Sequence, residues 1–306
     1  MVKAHRFSAS ARGRRGAFAA AAAALLIAVP SAAQTVERDM FVSVLDRADK
    51  PVLTLGVPDF VVREDGRARE VLRARRATDV MEIALLVDNS QALGNQLNDV
   101  RDALEAFIAR MRPQARISIV GLGDRPTIYA DYTDSEEQLA AGVGRVFPIQ
   151  GAGAYTLDAV GEVLKGLEKR KPERSAVVVL WLGGLEFSTE GYQPLVRGLV
   201  ARGTTLHVVV VGSRAPVDIR TTEGRNRELL FDRGTADTGG RRENVLTSMA
   251  AKDALNNLAD ELLGQYRITF ARPDMLVPPE KTEVEVRPAG LKARGILIPA
   301  AGAAAK

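Results

Sequence analysis

The sequence predicts an α/β protein: a doubly wound, mostly parallel sheet inserted in a small β-domain that the two flanks form together. Two observations carry this. Nearly continuous apolar runs at 83–87, 176–182 and 206–211 alternate with segments whose apolar residues recur at helical spacing, the pattern of strands covered by helices on both faces. The segments on either side of that region carry short β-prone runs separated by turn signals. Each is too small for a core of its own, so the two are expected to pair, which adjacent termini of an inserted domain allow.

The first flank, 34–78, opens on Phe41-Val42-Ser43-Val44-Leu45, followed by a turn at 47–51 and by Val52, Leu53 and Leu55. Phe60-Val61-Val62-Arg63 and Arg69-Glu70-Val71-Leu72-Arg73 enclose Asp65-Gly66, a dipeptide that favours the tight turn of a hairpin. The α/β region, 79–264, begins with the strand Ile83–Val87. Leu97, Val100, Leu104, Phe107, Ile108 and Met111 then give a helix one buried face. Ile117–Val120 and Thr127–Ala130 read as strands, and Ser135-Glu136-Glu137-Gln138 as a capping box opening a short helix. Leu157, Val160, Leu164 and Leu167 mark a further helix, and Ala176–Leu182 a buried strand. Pro194–Ala201 is helical, with proline near its start and Gly203 beyond its end. Leu206–Val211 is a strand, and Leu255, Leu258 and Leu262 line the last helix. Residues 213–247, rich in Arg, Gly, Thr and Asp, are expected to be a long polar excursion with little core. The second flank, 265–299, alternates at 266–270 and 282–286 and ends on Gly295-Ile296-Leu297-Ile298; the Ala/Gly tail 300–306 is expected to be disordered.

Residues 1–33 read as a signal peptide. Lys3, Arg6, Arg12, Arg14 and Arg15 precede an apolar run from Ala17 to Val29, and Pro30-Ser31-Ala32-Ala33 offers a cleavage site after Ala33. The run is too short to span a bilayer as a helix, so no membrane span is expected in the mature chain. The Arg pair leaves both the general secretory and the twin-arginine route open. The expected location is periplasmic or secreted.

The whole chain, 306 residues, carries a formal net charge of +4. Five of its 42 basic residues and none of its 38 acidic ones lie in 1–33, so the remainder has 37 basic against 38 acidic residues, a net of −1. The basic character belongs to the export segment. No basic stripe with interleaved aromatics exists, which argues against nucleic acid as a partner. Cysteine is absent, which excludes disulfides, thiol nucleophiles and lipoprotein attachment. Beyond His5, the one histidine is His207, inside an apolar strand, where a buried, hydrogen-bonded neutral ring is expected and a Ser-His-Asp triad is poorly placed. Gly121-Leu122-Gly123 lacks the third glycine of a dinucleotide fingerprint, since position 126 is Pro126. The carboxylate pairs Asp131/Asp134 and Glu136/Glu137 fall on polar faces. Together these exclude most histidine- and thiol-dependent catalysis, and no enzyme activity is expected.

The apolar strand ending in Asp88-Asn89-Ser90-Gln91-Ala92, with a long amphipathic helix after it, resembles the start of a von Willebrand factor A-type (VWA) domain. Gly153-Ala154-Tyr155-Thr156-Leu157-Asp158-Ala159-Val160 resembles the loop and helix that carry the family's metal-binding threonine. Thr238-Gly239-Gly240-Arg241 and the segment 258–266 resemble the end of the domain. The flank segments 59–66 and 286–294 resemble those of the secreted bacterial VWFA-related subgroup, so the likeness extends over about 38–298. It implies a Rossmann-like α/β fold and a magnesium-type site on the loops at the carboxyl ends of the strands. That site takes the Asp and two Ser of Asp-x-Ser-x-Ser, a Thr from the second loop and an Asp after the fourth strand.

This sequence departs from that ligand set. Asp88 and Ser90 match, the second serine is Ala92, the threonine position falls on Ala154 with Thr156 two residues on, and the last loop reads Trp181-Leu182-Gly183-Gly184-Leu185-Glu186. A hard cation wants several oxygen ligands, so the adhesion site is degenerate and no cofactor is expected. The expectation is a non-catalytic protein–protein interaction module that binds a partner of the cell envelope. Its contact surface would comprise Asp88, Ser90, Tyr155, Thr156, Trp181 and Leu182, with Leu185 beside them. A competing expectation puts Trp181 and Leu182 in the core. The alternative function is cation-dependent adhesion, with Mg2+ held by Asp88 and Ser90.

Overall fold

The computed structural model describes residues 35–212, 218–274, 277 and 279–299; the expected signal peptide and the Ala/Gly tail lie outside them. The chain opens with β1 (Thr35–Leu45), β2 (Phe60–Glu64), β3 (Arg67–Arg69) and β4 (Val71–Arg76). Asp65 and Gly66 take φ of 47° and 77° between β2 and β3, the paired left-handed turn that Asp-Gly permits. The α/β region runs β5 (Met81–Val87), α1 (Leu97–Met111), β6 (Ala115–Gly121), β7 (Thr127–Thr133), α2 (Glu136–Gly144), α3 (Thr156–Arg170), β8 (Arg174–Trp181), α4 (Tyr192–Ala201) and β9 (Thr204–Val211). It continues with α5 (Thr222–Leu229), a π-helical turn (Leu230–Gly234), α6 (Thr235–Asp237), β10 (Arg241–Val245) and α7 (Ser248–Leu263). The chain returns through β11 (Tyr266–Pro273), β12 (Thr282–Val286) and β13 (Lys292–Leu297).

The six-stranded sheet has the order β10-β9-β8-β5-β6-β7, parallel except for β7 at its edge. Alternation in the strands explains both layers. Met81, Ile83, Leu85 and Val87 face a core with Val100, Leu104 and Phe107 of α1 and Leu255, Leu258 and Leu262 of α7. Ala84 and Leu86 face the opposite core with Leu157, Val160 and Leu164 of α3 and Leu195 and Leu199 of α4. Truncating a fully buried leucine in either layer to alanine costs about 2–5 kcal/mol. β6 lies on one side of β5 and β8 on the other, so the winding reverses at β5 and leaves a crevice beyond its carboxyl end.

The flanks pair as the sequence leads one to expect. β1 lies between β11 and β13 in an antiparallel sheet of order β13-β1-β11-β4, and β12-β2-β3 form a second. Their shared core is Met40, Val42, Val44, Phe60, Val62, Tyr266, Ile268 and Phe270. Buried Arg174, at the start of β8, ties this part to the α/β region by donating to the Gln265 side chain at 2.8 Å and to the Asp79 carbonyl at 3.3 Å.

Two expectations are corrected. The excursion at 213–247 is, in its described part, ordered and adds to the core. Arg227, Leu230 and Phe231 are fully buried there, and β10 pairs in parallel with β9. His207 is buried, but neither ring nitrogen has a hydrogen-bond partner. Burial, with Arg294 and Arg241 nearby, holds its pKa down at about 3.

Candidate functional site

β5 delivers Asp88 to the crevice. The Asp88 carboxylate is fully buried and is met by three backbone donors: Ser90 N–H on Oδ1 at 3.1 Å, and Leu182 and Gly184 N–H on Oδ2 at 3.0 and 2.9 Å. Ser90 Oγ accepts from Ala92 N–H at 3.3 Å. Gly184 passes so close that a Cβ there would stand 2.5 Å from Ser90 Oγ and 2.9 Å from Asp88 Oδ1, so only glycine fits. Asn89 secures the neighbouring loops: its Oδ1 accepts from Gly123 N–H at 2.8 Å, and its amide donates to the Tyr129 hydroxyl at 2.7 Å.

The loop after β8 also caps α3. Thr156 N–H donates to Glu186 Oε1 at 2.8 Å, and Leu157 and Asp158 N–H donate to Ser188 Oγ at 2.9 and 3.1 Å. The Ser188 hydroxyl in turn donates to Glu186 Oε1 at 2.6 Å. Burial pushes the Glu186 carboxyl up, against the Ser188 hydroxyl, the nearby Thr156 side chain, the Arg227 charge and the Thr156 N–H, which favour its charged form. Glu186 Oε2 and Thr156 Oγ1 are buried without a hydrogen-bond partner.

Behind this loop stands Arg227, with no exposed surface. Its guanidinium forks onto Asp218 at 2.7 and 2.9 Å, reaches the Gly184 carbonyl at 3.4 Å and lies 4.3 Å above the Trp181 ring. Asp218 Oδ2 also accepts from Glu186 N–H at 2.8 Å. Burial works against the charged form of Asp218, but the Arg227 hydrogen bonds prevail and hold its carboxyl below the usual range.

The residues expected to form a contact surface come together, but most of them do not face solvent. Asp88, Ser90, Thr156, Trp181 and Leu182 are buried, and Tyr155 is half-buried. The pleat explains Trp181: with Val177 and Val179 it points into the α3/α4 layer, edge-on to Phe231 at 6.2 Å. The exposed apolar groups are Leu185 at 45% and Phe187 at 50%, which flank buried Glu186, and Phe147 at 54%. Phe187 packs against Gly153, where a Cβ would come within 2.2 Å of its ring, and its centroid is 6.3 Å from that of Tyr155. The Arg101 guanidinium covers Phe147 at 4.3 Å. The alternation Leu185-Glu186-Phe187 was the available sequence signal for this rim; nothing local marks Asp218 or Arg227 as part of the site.

The side chains around Asp88 depart from the full oxygen set that a hard divalent cation takes. Two backbone N–H groups meet Asp88 Oδ2 and one meets Oδ1, Ala92 offers no side-chain oxygen, and the loop after β8 places Gly183 and Gly184 beside Asp88 rather than a carboxylate. Among the described residues no group of three or more His, Asp or Glu side chains is placed to hold a metal.

A mostly parallel sheet wound both ways from β5 and covered by helices on both faces defines a Rossmann-like α/β class. The family model of the von Willebrand factor type A domain matches residues 82–235, half of the chain, and the chain belongs to that family. Similar solved structures include proximal thread matrix protein 1 from the mussel byssus, at 12% identity and a TM-score of 0.52, covering 66% of this chain and 50% of that one. A von Willebrand factor type A protein from Catenulispora acidiphila shows 12% identity and a TM-score of 0.50, covering 88% of this chain and 73% of that one. The mussel protein has also been solved with a zinc-occupied MIDAS motif, at 11% identity and a TM-score of 0.49, covering 65% and 49%. The chain thus spans about half the length of the mussel protein. No curated protein sequence matches it. Among the described residues no helix is long and apolar enough to cross a membrane.

Proposed function

We propose that this protein is an exported, non-catalytic VWA module of the secreted bacterial subgroup. It binds a protein of the cell envelope through the rim at the carboxyl ends of its parallel strands, and it does so without a divalent cation. The observation that carries this reading is the outward display of Leu185 and Phe187 on a loop whose intervening residue, Glu186, is pinned from beneath. Apolar side chains held in one geometry contribute most to binding, because little freedom is left to lose. Crevices at this end of such sheets are also where ligands settle. Tyr155 and Phe147 extend the same rim, while Asp88, Ser90, Thr156, Trp181 and Leu182 shape it from below. Seclusion of the one described histidine and the lack of cysteine support a non-catalytic role.

The test is capture of partners from the native envelope with the wild type and with Leu185→Ser/Phe187→Ser, the partner being identified and its affinity measured for both. Both side chains are exposed, so the unfolding midpoint is expected to move by no more than about 2 °C. Affinity should fall at least about tenfold, as befits apolar anchors. A partner held equally by both proteins would overturn the rim as the contact surface.

A further inference from the structure

A buried carboxylate must be compensated, and Asp88 has none of its surface in water. The compensation is built from the chain itself. The loop Leu182–Glu186 turns two N–H groups inward to Asp88 Oδ2. Its other side is held by Arg227 and Asp218: the Gly184 carbonyl accepts from the guanidinium, and Glu186 N–H donates to Asp218. One residue, Gly184, therefore bonds to Asp88 through its nitrogen and to Arg227 through its oxygen. The guanidinium is itself fixed, with two bonds to Asp218, a third acceptor in Glu228 at 3.1 Å and the Trp181 ring beneath it. A magnesium ion would need oxygens at about 2.0–2.1 Å, yet the approach to Asp88 Oδ2 already holds the Gly184 nitrogen at 2.9 Å.

We propose that Arg227 is the resident cation of this site: a positioning residue that seats the loop amides of Leu182 and Gly184 on Asp88, and so fixes the rim in the absence of a divalent ion. A planar, permanently charged fork suits this role better than an ammonium, because it bonds Asp218 twice and still reaches Gly184. The inference concerns how the rim is held and is independent of which partner the rim meets.

The test follows amide exchange of Leu182 and Gly184 in the full chain, with and without millimolar magnesium or a chelator. In the wild type both amides are expected to be protected to the same extent in all three conditions. Arg227→Gln should speed their exchange about tenfold or more, the loss expected for a bond to a buried charged group, while β5 and α1 stay protected. Arg227→Lys should fall between the two. Should Arg227→Gln fail to fold, Asp218→Asn releases the guanidinium from its other side and should loosen the same two amides. Loop protection in the wild type that rises with magnesium and is lost in Asp88→Asn would overturn the proposal. So would variants at 227 and 218 that leave both amides as protected as before.

Discussion

At the scale of single residues, two buried titratable groups give the protein opposite responses to pH. His207 is neutral in the folded protein, with its pKa near 3, whereas in the unfolded chain it takes a proton near its ordinary value. Its contribution is therefore complete above about pH 6.5. It is lost as pH falls toward 3, at about 1.4 kcal/mol per pH unit for one site. Urea unfolding of His207→Leu across that range should show a correspondingly shallower slope. Glu186 has the other sign. Burial raises its pKa, so stability is greatest while it is protonated and declines as pH rises through the folded value. Glu186→Gln keeps an oxygen for Thr156 N–H and the Ser188 hydroxyl without the buried charge. Its unfolding midpoint should exceed that of the wild type at pH 7, and the difference should vanish below the usual carboxylate range. A lower midpoint at pH 7 would show that the charged form is what the loop requires.

At the scale of elements, the hydrophobic period decides which parts of the chain can be read without coordinates. α1, α3, β8 and α7 carry buried residues at the expected spacing, and all were legible. The stretch through α5, the π-helical turn and α6 was not. Its cohesion depends on a buried arginine paired with an aspartate, and an arginine in a charged, glycine-rich segment reads as surface. β10 escaped for a similar reason, because Arg241-Arg242-Glu243-Asn244-Val245 has no apolar alternation. Part of the candidate site was legible in the same sense. Asp88 and Ser90 identified the crevice, but which side of the pleat Trp181 takes depends on register, which sequence alone left open. The start of α3 makes a further prediction. Tyr155 provides no side-chain cap, and the first-turn amides of Leu157 and Asp158 are met from another loop by Ser188. Ser188→Ala should lower stability by about 1–2 kcal/mol, as the loss of a helix cap does, measurable by denaturant unfolding. A smaller change would mean that water replaces the hydroxyl.

At the scale of the whole molecule, the antiparallel sheet joins the two flanks strand by strand: Val42 of β1 faces Tyr266 of β11, and Arg76 of β4 faces the same residue from the other side. Truncation after Gly264 would strip β1 and β4 of every strand partner they have and expose the core around Met40, Val42 and Phe60. Such a protein should lose its cooperative transition and bind hydrophobic dyes, as seen by circular dichroism and fluorescence; a sharp transition retained by the truncated chain would show that the α/β region folds without the flanking sheet. The pairing also orders events in time. On a chain emerging from its amino end, β1 meets only the local turn at Pro51 and Val52 until β11 follows roughly 220 residues later, a separation that makes closure slow. Closure of the flanking sheet therefore waits for β11 and β13, the strands that flank β1 on both sides.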